Sequence, residues 1–291
     1  MLNGVMLLWF ILTGLSVVYV AIDIRSTPES TVMKWGFVLV TAFIGPLGAF
    51  LYVLGCREPL PGMHEEYVSA RWRQVLGSTM HCVAGDGVGI FAGGIAAALL
   101  HLSPLADIGL EYVLGFGFGW GIFQALFMRE MMGGSYRKAL TSTFVPELLS
   151  MNAVMAGMIP VMTLSMKAVP GSHDIAGAAF WFLMSMGLLA GFIVAFPVNW
   201  WLVSNNLKHG MMTVRPAAMQ SGHSEHAMDM PEMNDQVADE HAEHDSPAVS
   251  RGAILAVTVL TFAMLGAGLA ISGALGGLKP MHAMSAAHTK S

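Results

Sequence analysis

The stretch of sequence that decides the fold is MHCVAGDGVGIFAGGIAAALL, residues 80–100. It is long enough to cross the hydrocarbon core of a bilayer as a helix, which takes about 20 residues, and Asp86 is its only formally charged residue. Gly85, Gly89 and Gly93 recur at four-residue spacing, which lets membrane helices approach one another closely. The stretch therefore predicts a membrane helix at the centre of a bundle.

The composition of the whole chain supports the same fold class. Of its 291 residues, 55% are hydrophobic and only 11% are charged, whereas a soluble domain carries about 25% charged residues. This composition argues against a soluble enzyme, a nucleic-acid binder and a disordered chain. We expect an all-α, polytopic integral membrane helix bundle whose main partner is the lipid bilayer, with no nucleic-acid partner.

Seven segments are apolar and long enough to be transmembrane helices: roughly 4–22, 34–54, 80–100, 109–128, 145–166, 176–198 and 253–275. They divide the chain into four predicted parts. These parts are an N-terminal helix pair (1–60), a four-helix membrane core with interfacial helices (61–215), a disordered acidic loop rich in His and Met (216–250), and a C-terminal transmembrane helix with a tail (251–291).

The distribution of Lys and Arg predicts the orientation in the membrane. With seven spans, nine of the 14 basic residues fall on the side of the N-terminus and five on the other side. Cytoplasmic loops carry the excess of basic residues. We therefore expect a multi-pass protein of the cell inner membrane, with its N-terminus and acidic loop in the cytoplasm and its C-terminus outside.

The third span carries the densest set of polar groups. Ionisable residues inside a span are costly and mark functional sites. Cys82 and Asp86 are four residues apart and share a helical face, while His81 lies about 100° round the helix. His, Cys and Asp carry protons and ligate metals. The alternative is a structural aspartate bonded to a neighbouring helix, beside a histidine at the membrane edge.

The fifth span carries a stripe of methionines that begins at a carboxylate. Glu147, Met151, Met155, Met158 and Met162 lie on one face of a helix. Thioether sulfur is a soft ligand suited to Cu(I), especially beside Cys or His. The alternative is packing, because Met readily fills irregular gaps in a core.

The acidic loop holds two His-x-x-His pairs, His223/His226 and His241/His244, with Met residues between them. Such tracts between membrane spans are typical of metal capture or sensing. The alternative is a solubilising linker whose His and Met residues are only compositional.

Three short motifs in spans 3, 5 and 6 carry a family resemblance: His81-Cys82-x3-Gly85-Asp86-x2-Gly89, Pro146-Glu147 with Met155 to Met158 and Pro160, and Pro197-x-Asn199-Trp200-Trp201-Leu202-Val203 with Lys208-His209-Gly210-Met211. Together they resemble a bacterial multi-pass membrane family catalogued as a domain of unknown function. The resemblance covers about residues 70–215. It implies a four-helix membrane core, and it implies no activity or cofactor.

Three functions remain open from the sequence. The first is a membrane protein that binds or transports a soft metal ion, with copper as the predicted metal. The second is a non-catalytic assembly partner or subunit, acting with another membrane protein or as a homo-oligomer. The third is a membrane-embedded redox enzyme using His81 and Glu147, although the sequence favours a non-enzyme. An intramembrane aspartyl protease fits poorly, because Val83 stands where that motif has Gly.

The residues predicted to form the metal site share soft or ionisable side chains, and they fall into two groups. The interior group is His81, Cys82, Asp86, Glu147, Met151, Met155 and Met158, and the loop group is His223, His226, His241 and His244.

Overall fold

The computed structural model describes residues 2–131, 134–210 and 249–278, and this part of the chain contains helices and no strands. In chain order the helices are α1 (Leu2–Asp23), α2 (Thr31–Ile44), α3 (Pro46–Gly55), α4 (His64–Val68), α5 (Arg71–Leu99), α6 (Pro104–Phe118), α7 (Ala125–Met131), α8 (Tyr136–Ala168), α9 (Ala178–Ser204) and α10 (Arg251–Ala274), and a π-helical turn at Gly119–Gln124 joins α6 to α7. The predicted all-α class is confirmed.

Six helical stretches among the described residues are long and apolar enough to cross a membrane. They are α1, α5, α8, α9, α10 and the continuous run Pro104–Arg129. The sequence predicts seven spans, and the difference lies in the predicted span 34–54. Its apolar residues form two shorter helices, α2 and α3, instead of one long helix.

A turn at Gly45 folds α2 and α3 back on each other. Gly45 has a φ of +66°, a conformation that glycine adopts without steric cost, and Pro46 begins the next helix. The Phe37 and Tyr52 ring centroids are 5.6 Å apart, whereas a straight helix would separate these residues by about 22 Å. The two helices therefore form an antiparallel hairpin.

The start of α2 and the end of α3, which we call the feet of the hairpin, lie together at one end of the bundle. Asp23, at the end of α1, accepts a hydrogen bond of 2.8 Å from Tyr52 Oη and forms an ion pair with Arg57 at 2.9 Å. The tip of the hairpin at Gly45 packs against Trp9 and Thr13 in α1. The hairpin thus enters the bundle and leaves it at the same end, and α5 begins at the end where α1 finishes.

The core of the bundle is built by close contacts between helix backbones. Gly89 of α5 packs directly on the backbone of Leu114 in α6, and Gly93 packs on Glu111. The glycines of residues 80–100 thus let α5 pack closely on α6, as their four-residue spacing predicts. Across α8 and α9, Gly191 packs on the carbonyl oxygen of Val154. These approaches are possible because the glycines carry no side chain.

The start of the first helix, α1, and the end of the last, α10, do not lie where a seven-span protein would place them. Trp9 near the start of α1 contacts Phe182 near the start of α9. The helix α10 runs parallel to α8, since Thr261 contacts Asn152 and Ser272 contacts Thr163. The start of α1 and the end of α10 therefore lie at the same end of the bundle. Seven spans would have placed them at opposite ends.

Candidate functional site

A cluster of buried polar side chains lies inside the bundle, and we call it the central cluster. It comprises Cys82 of α5, Gln124 of the π turn, Glu147 of α8, Asn199 of α9 and Lys208, which follows α9. Each of these residues is at most 6% exposed. Five parts of the fold thus contribute polar groups to one place inside the bundle.

Hydrogen bonds connect the cluster through the Glu147 carboxylate. Its Oε2 accepts from Lys208 Nζ at 3.3 Å and from Cys82 Sγ at 3.4 Å. Gln124 Nε2 donates to Cys82 Sγ at 2.6 Å, and Lys208 Nζ also donates to Asn199 Oδ1 at 2.9 Å. Buried charges persist when they are paired and hydrogen-bonded in this way.

Asp86 adds a second carboxylate to the central cluster. It is fully buried, and neither of its oxygens accepts a hydrogen bond from a donor in the described part of the chain. A Cβ on Gly119 would collide with Asp86 Oδ1 and would lie 2.8 Å from Glu147 Oε1. The missing side chain of Gly119 therefore leaves the space into which both carboxylates point.

The numbers of acidic and basic groups in this cluster differ. Asp86 and Glu147 supply two carboxylates, and Lys208 supplies one ammonium group. Burial by itself lowers the pKa of Lys208, but the neighbouring Cys82, Glu147 and Asp86 outweigh burial and raise it above its usual value. Lys208 therefore stays positive at neutral pH. With both carboxylates ionised, the cluster is short of one positive charge, which a proton or a metal cation can supply.

The other predicted interior residues lie around the central cluster or away from it. The His81 ring packs against Phe123 and Phe127 and faces Gly36 of the hairpin. Met151 Cε lies against Gly115, beside the Asp86 backbone. The structure thus brings Cys82, Asp86 and Glu147 together with Met151 nearby, and it directs His81 towards α2.

The methionine stripe continues from the cluster towards the other end of the bundle. Met155 and Met158 are fully buried, and Met158 packs with Met162 on Gly187 of α9. Beyond them lies a cavity of about 180 Å³. Its lining combines sulfur, imidazole and carboxylate groups: Met158, Met162, Met166, His173, Asp107 and Glu111. The predicted site included Met158, and the predicted stripe also reached Met162; Met166, His173, Asp107 and Glu111 were not predicted to belong to the site.

Among the described residues, one group of His, Cys and acidic side chains brings its ligand atoms within 4.8 Å of one another. It is Glu29, Cys56 and His64 at the feet of the hairpin. The set around Asp86 forms no such group. The predicted loop residues His223, His226, His241 and His244 lie outside the described residues.

Sequence reasoning missed Lys208 and Gln124 as members of the cluster. Lys208 stands in the resemblance motif, but its position after a span made it look like a cytoplasmic anchor. Gln124 follows a glycine-rich stretch whose helical register is changed by the π turn. The sequence signal that could have indicated the buried position of Lys208 is Asn199, a polar residue near the end of α9 whose Oδ1 accepts a hydrogen bond from Lys208 Nζ.

The comparisons with known proteins agree with the resemblance drawn from the sequence. Residues 71–208 match the model of a family described as a domain of unknown function, DUF4396. No curated protein and no solved structure matches the chain. The predicted resemblance to a family of unknown function is confirmed for α5 to α9 and Lys208.

Proposed function

We propose that this domain of unknown function carries a soft metal cation, copper(I), across the membrane through the central cluster. The observation that carries the proposal is the convergence of Asp86 and Glu147 on the side-chain-free face of Gly119, with one ammonium group bonded to Glu147. Ionisable residues inside a membrane bundle are rare and mark ion and substrate pathways.

The donor chemistry on the approach to the cluster favours a soft cation. Met158, Met162 and Met166 line the cavity, and His173 lies at its wall. Thioether and imidazole groups suit copper, whereas Mg²⁺ and Ca²⁺ prefer oxygen ligands. Met155 and Met151 extend the same stripe to the carboxylates. The Cys82 thiol, 3.4 Å from Glu147 Oε2, adds a further sulfur ligand.

Lys208 closes the other end of this route. Two clefts of about 280 and 270 Å³ border it, and Lys208 and His209 line both of them. A cation that arrives at Glu147 displaces the ammonium group electrostatically, because both compete for the same carboxylate. In this scheme Lys208 occupies the site when no metal is present, and a proton on Asp86 or Glu147 offsets the charge during exchange.

The basic residues support an orientation for this route. Ten of the eleven Lys and Arg residues in the described ranges lie at the end where α5 begins: Arg25, Lys34, Arg57, Arg71, Arg73, Arg129, Arg137, Lys138, Lys208 and Arg251, with Lys167 at the other end. Basic residues mark the cytoplasmic side. The methionine-lined cavity then opens to the outside of the inner membrane. The end of α10 lies on the outside, as the sequence predicts, and the start of α1 lies there too, which replaces the sequence-based expectation of a cytoplasmic N-terminus.

The test is copper flux into liposomes that contain the purified protein. We expect uptake of Cu(I) above that of empty liposomes, and a loss of about tenfold or more in Asp86→Asn and in Met155→Leu, as expected when a group holding the metal is removed. Met33→Leu is the matched control, since Met33 is a buried methionine of the hairpin, away from the stripe.

Two results would refute the proposal. The first is wild-type uptake equal to that of empty liposomes. The second is unchanged copper binding and uptake in both Asp86→Asn and Met155→Leu. In either case the assembly-partner alternative remains, and co-purification of a stable membrane partner that tolerates Asp86→Asn would support it.

A further inference from the structure

The feet of the α2–α3 hairpin form a second polar site, separate from the central cluster. The segment before α2, the segment after α3 and the start of α4 meet there. Thr27 Oγ1 lies 3.2 Å from Tyr52 Oη, and the Asp23–Arg57 ion pair lies beside them. These contacts bring three otherwise distant parts of the chain together.

Three potential metal ligands face one another at this junction. Glu29 is 6% exposed, Cys56 0% and His64 1%. The Glu29 Oε1 and His64 Nε2 atoms are 3.3 Å apart, and the ligand atoms of all three residues lie within 4.8 Å of one another. Each residue comes from a different segment, so the tertiary fold and not local sequence creates the group.

The contacts within the protein leave part of this group unsatisfied. Glu29 Oε2 and His64 Nδ1 are both buried and have no hydrogen-bond partner in the described part of the chain. A buried polar atom without a partner costs about 1–3 kcal/mol. A simple His–Glu pair therefore explains one atom of each side chain and leaves the other atom, together with the Cys56 thiol, without a role.

We propose that Glu29, Cys56 and His64 bind one zinc ion, which fastens the feet of the hairpin to the start of α4. Carboxylate oxygen, thiolate sulfur and imidazole nitrogen are the three ligand types that zinc takes in proteins. A tetrahedral site with bonds of about 2.0–2.3 Å separates its ligand atoms by about 3.5 Å. Glu29 Oε1 and His64 Nε2 already lie 3.3 Å apart, and the Cys56 thiol, within 4.8 Å of both, reaches this spacing by a shift of at most about an ångström.

The surroundings and the coordination number both fit this assignment. A cleft of about 260 Å³, lined by Asp23, Thr27, Arg57 and Glu58, lies at the same junction, and Glu58 Oε1 accepts a hydrogen bond of 3.1 Å from the His64 backbone N–H. Three protein ligands leave a fourth position for water. The mixed carboxylate, thiolate and imidazole set suits zinc better than Cu(I), which prefers sulfur. The site is therefore chemically distinct from the copper route.

Cobalt substitution in the full-length protein tests the proposal. Co²⁺ replaces Zn²⁺ in thiolate sites and gives a near-ultraviolet sulfur-to-cobalt charge-transfer band. We expect this band in the wild-type protein, its loss in Cys56→Ser, and its displacement by added zinc. Cys82→Ser removes the other cysteine, which belongs to the proposed copper route, so a band retained in this variant comes from Cys56.

A second measurement uses the wild-type protein and so does not depend on the folding of variants. We expect bound zinc to slow alkylation of Cys56 by a maleimide, with the modified cysteine identified by mass spectrometry, and a chelator to reverse the protection. Failure of wild-type protein to show either the cobalt band or zinc protection of Cys56 would overturn the proposal. A band abolished by Cys82→Ser but retained in Cys56→Ser would also overturn it. Neither outcome bears on copper flux.

Discussion

Replacing Lys208 with methionine removes the positive charge from the central cluster while keeping a long, unbranched side chain. In the native protein, Lys208 Nζ lies 3.3 Å from Glu147 Oε2 and 2.9 Å from Asn199 Oδ1, and the Glu147 side chain is fully buried. Removing one partner of a buried ion pair costs about 3–5 kcal/mol, because the remaining charge is left uncompensated. We expect Lys208→Met to lower the free energy of unfolding by this amount.

The double variant Lys208→Met/Glu147→Gln separates this effect from lost packing. It removes both charges, so it should be more stable than Lys208→Met alone and should yield a coupling energy of about 1–3 kcal/mol. The control is Lys167→Met, an exposed lysine whose ammonium group bonds to the Leu275 carbonyl oxygen. Its effect should stay within about 0.5 kcal/mol.

The assay is unfolding in mixed micelles of increasing denaturing-detergent content, followed by circular dichroism. The reasoning is refuted if Lys208→Met unfolds within about 0.5 kcal/mol of the wild type, the limit expected for a surface change. It is also refuted if the double variant is less stable than Lys208→Met, since the ion pair would then not govern the loss.

Three further predictions concern the packing of the helices and the orientation in the membrane. Gly119→Ala should destabilise the protein by about 1–3 kcal/mol through overpacking, while Gly117→Ala, which meets open space, should not, in the same unfolding assay. Thr261→Val should cost about 0.5–1.5 kcal/mol, because it removes the hydroxyl that accepts from Asn152 Nδ2 at 3.4 Å; an unchanged unfolding midpoint would contradict this. A cysteine placed at Ser26 should react with a membrane-impermeant maleimide only from the cytoplasmic side, and labelling from outside would reverse the proposed orientation.

The hairpin shows why the number of spans could not be read from composition alone. Residues 34–54 are as apolar as a true span, and an apolar run has the same hydropathy whether it is straight or folded. The Gly45-Pro46 pair is the one local signal of a turn, since glycine permits the positive φ and proline favours the first turn of a helix. The six other predicted spans correspond to the six membrane-spanning helical stretches in the described part of the chain.

The central cluster was predictable in part. Cys82 and Asp86 share a helix face by their spacing, and Glu147 begins a long apolar segment, so their interior position follows from the sequence. Lys208 joins them because the chain turns back into the bundle after α9, which hydropathy does not reveal. Whether the seven interior residues act as a metal site stays a prediction.

The group at the feet of the hairpin could not be predicted from the sequence, for a different reason. Glu29, Cys56 and His64 lie in three segments, and their spacing matches no short metal-binding motif. They meet because α2 and α3 fold back, so the site could be found only after the turn at Gly45 was known.

Because of the π turn at Gly119–Gln124, the number of residues in this segment decides which side chains face the central cluster. In an α-helix, Gly119 and Gln124 would point about 140° apart, but i→i+5 bonding brings residues five apart closer to one face of the helix. This register lets Gly119 face Asp86 while Gln124 bonds to Cys82. Deleting a single residue from this segment would restore an ordinary α-helix and turn one of the two away. Insertions and deletions here should therefore be less tolerated than substitutions.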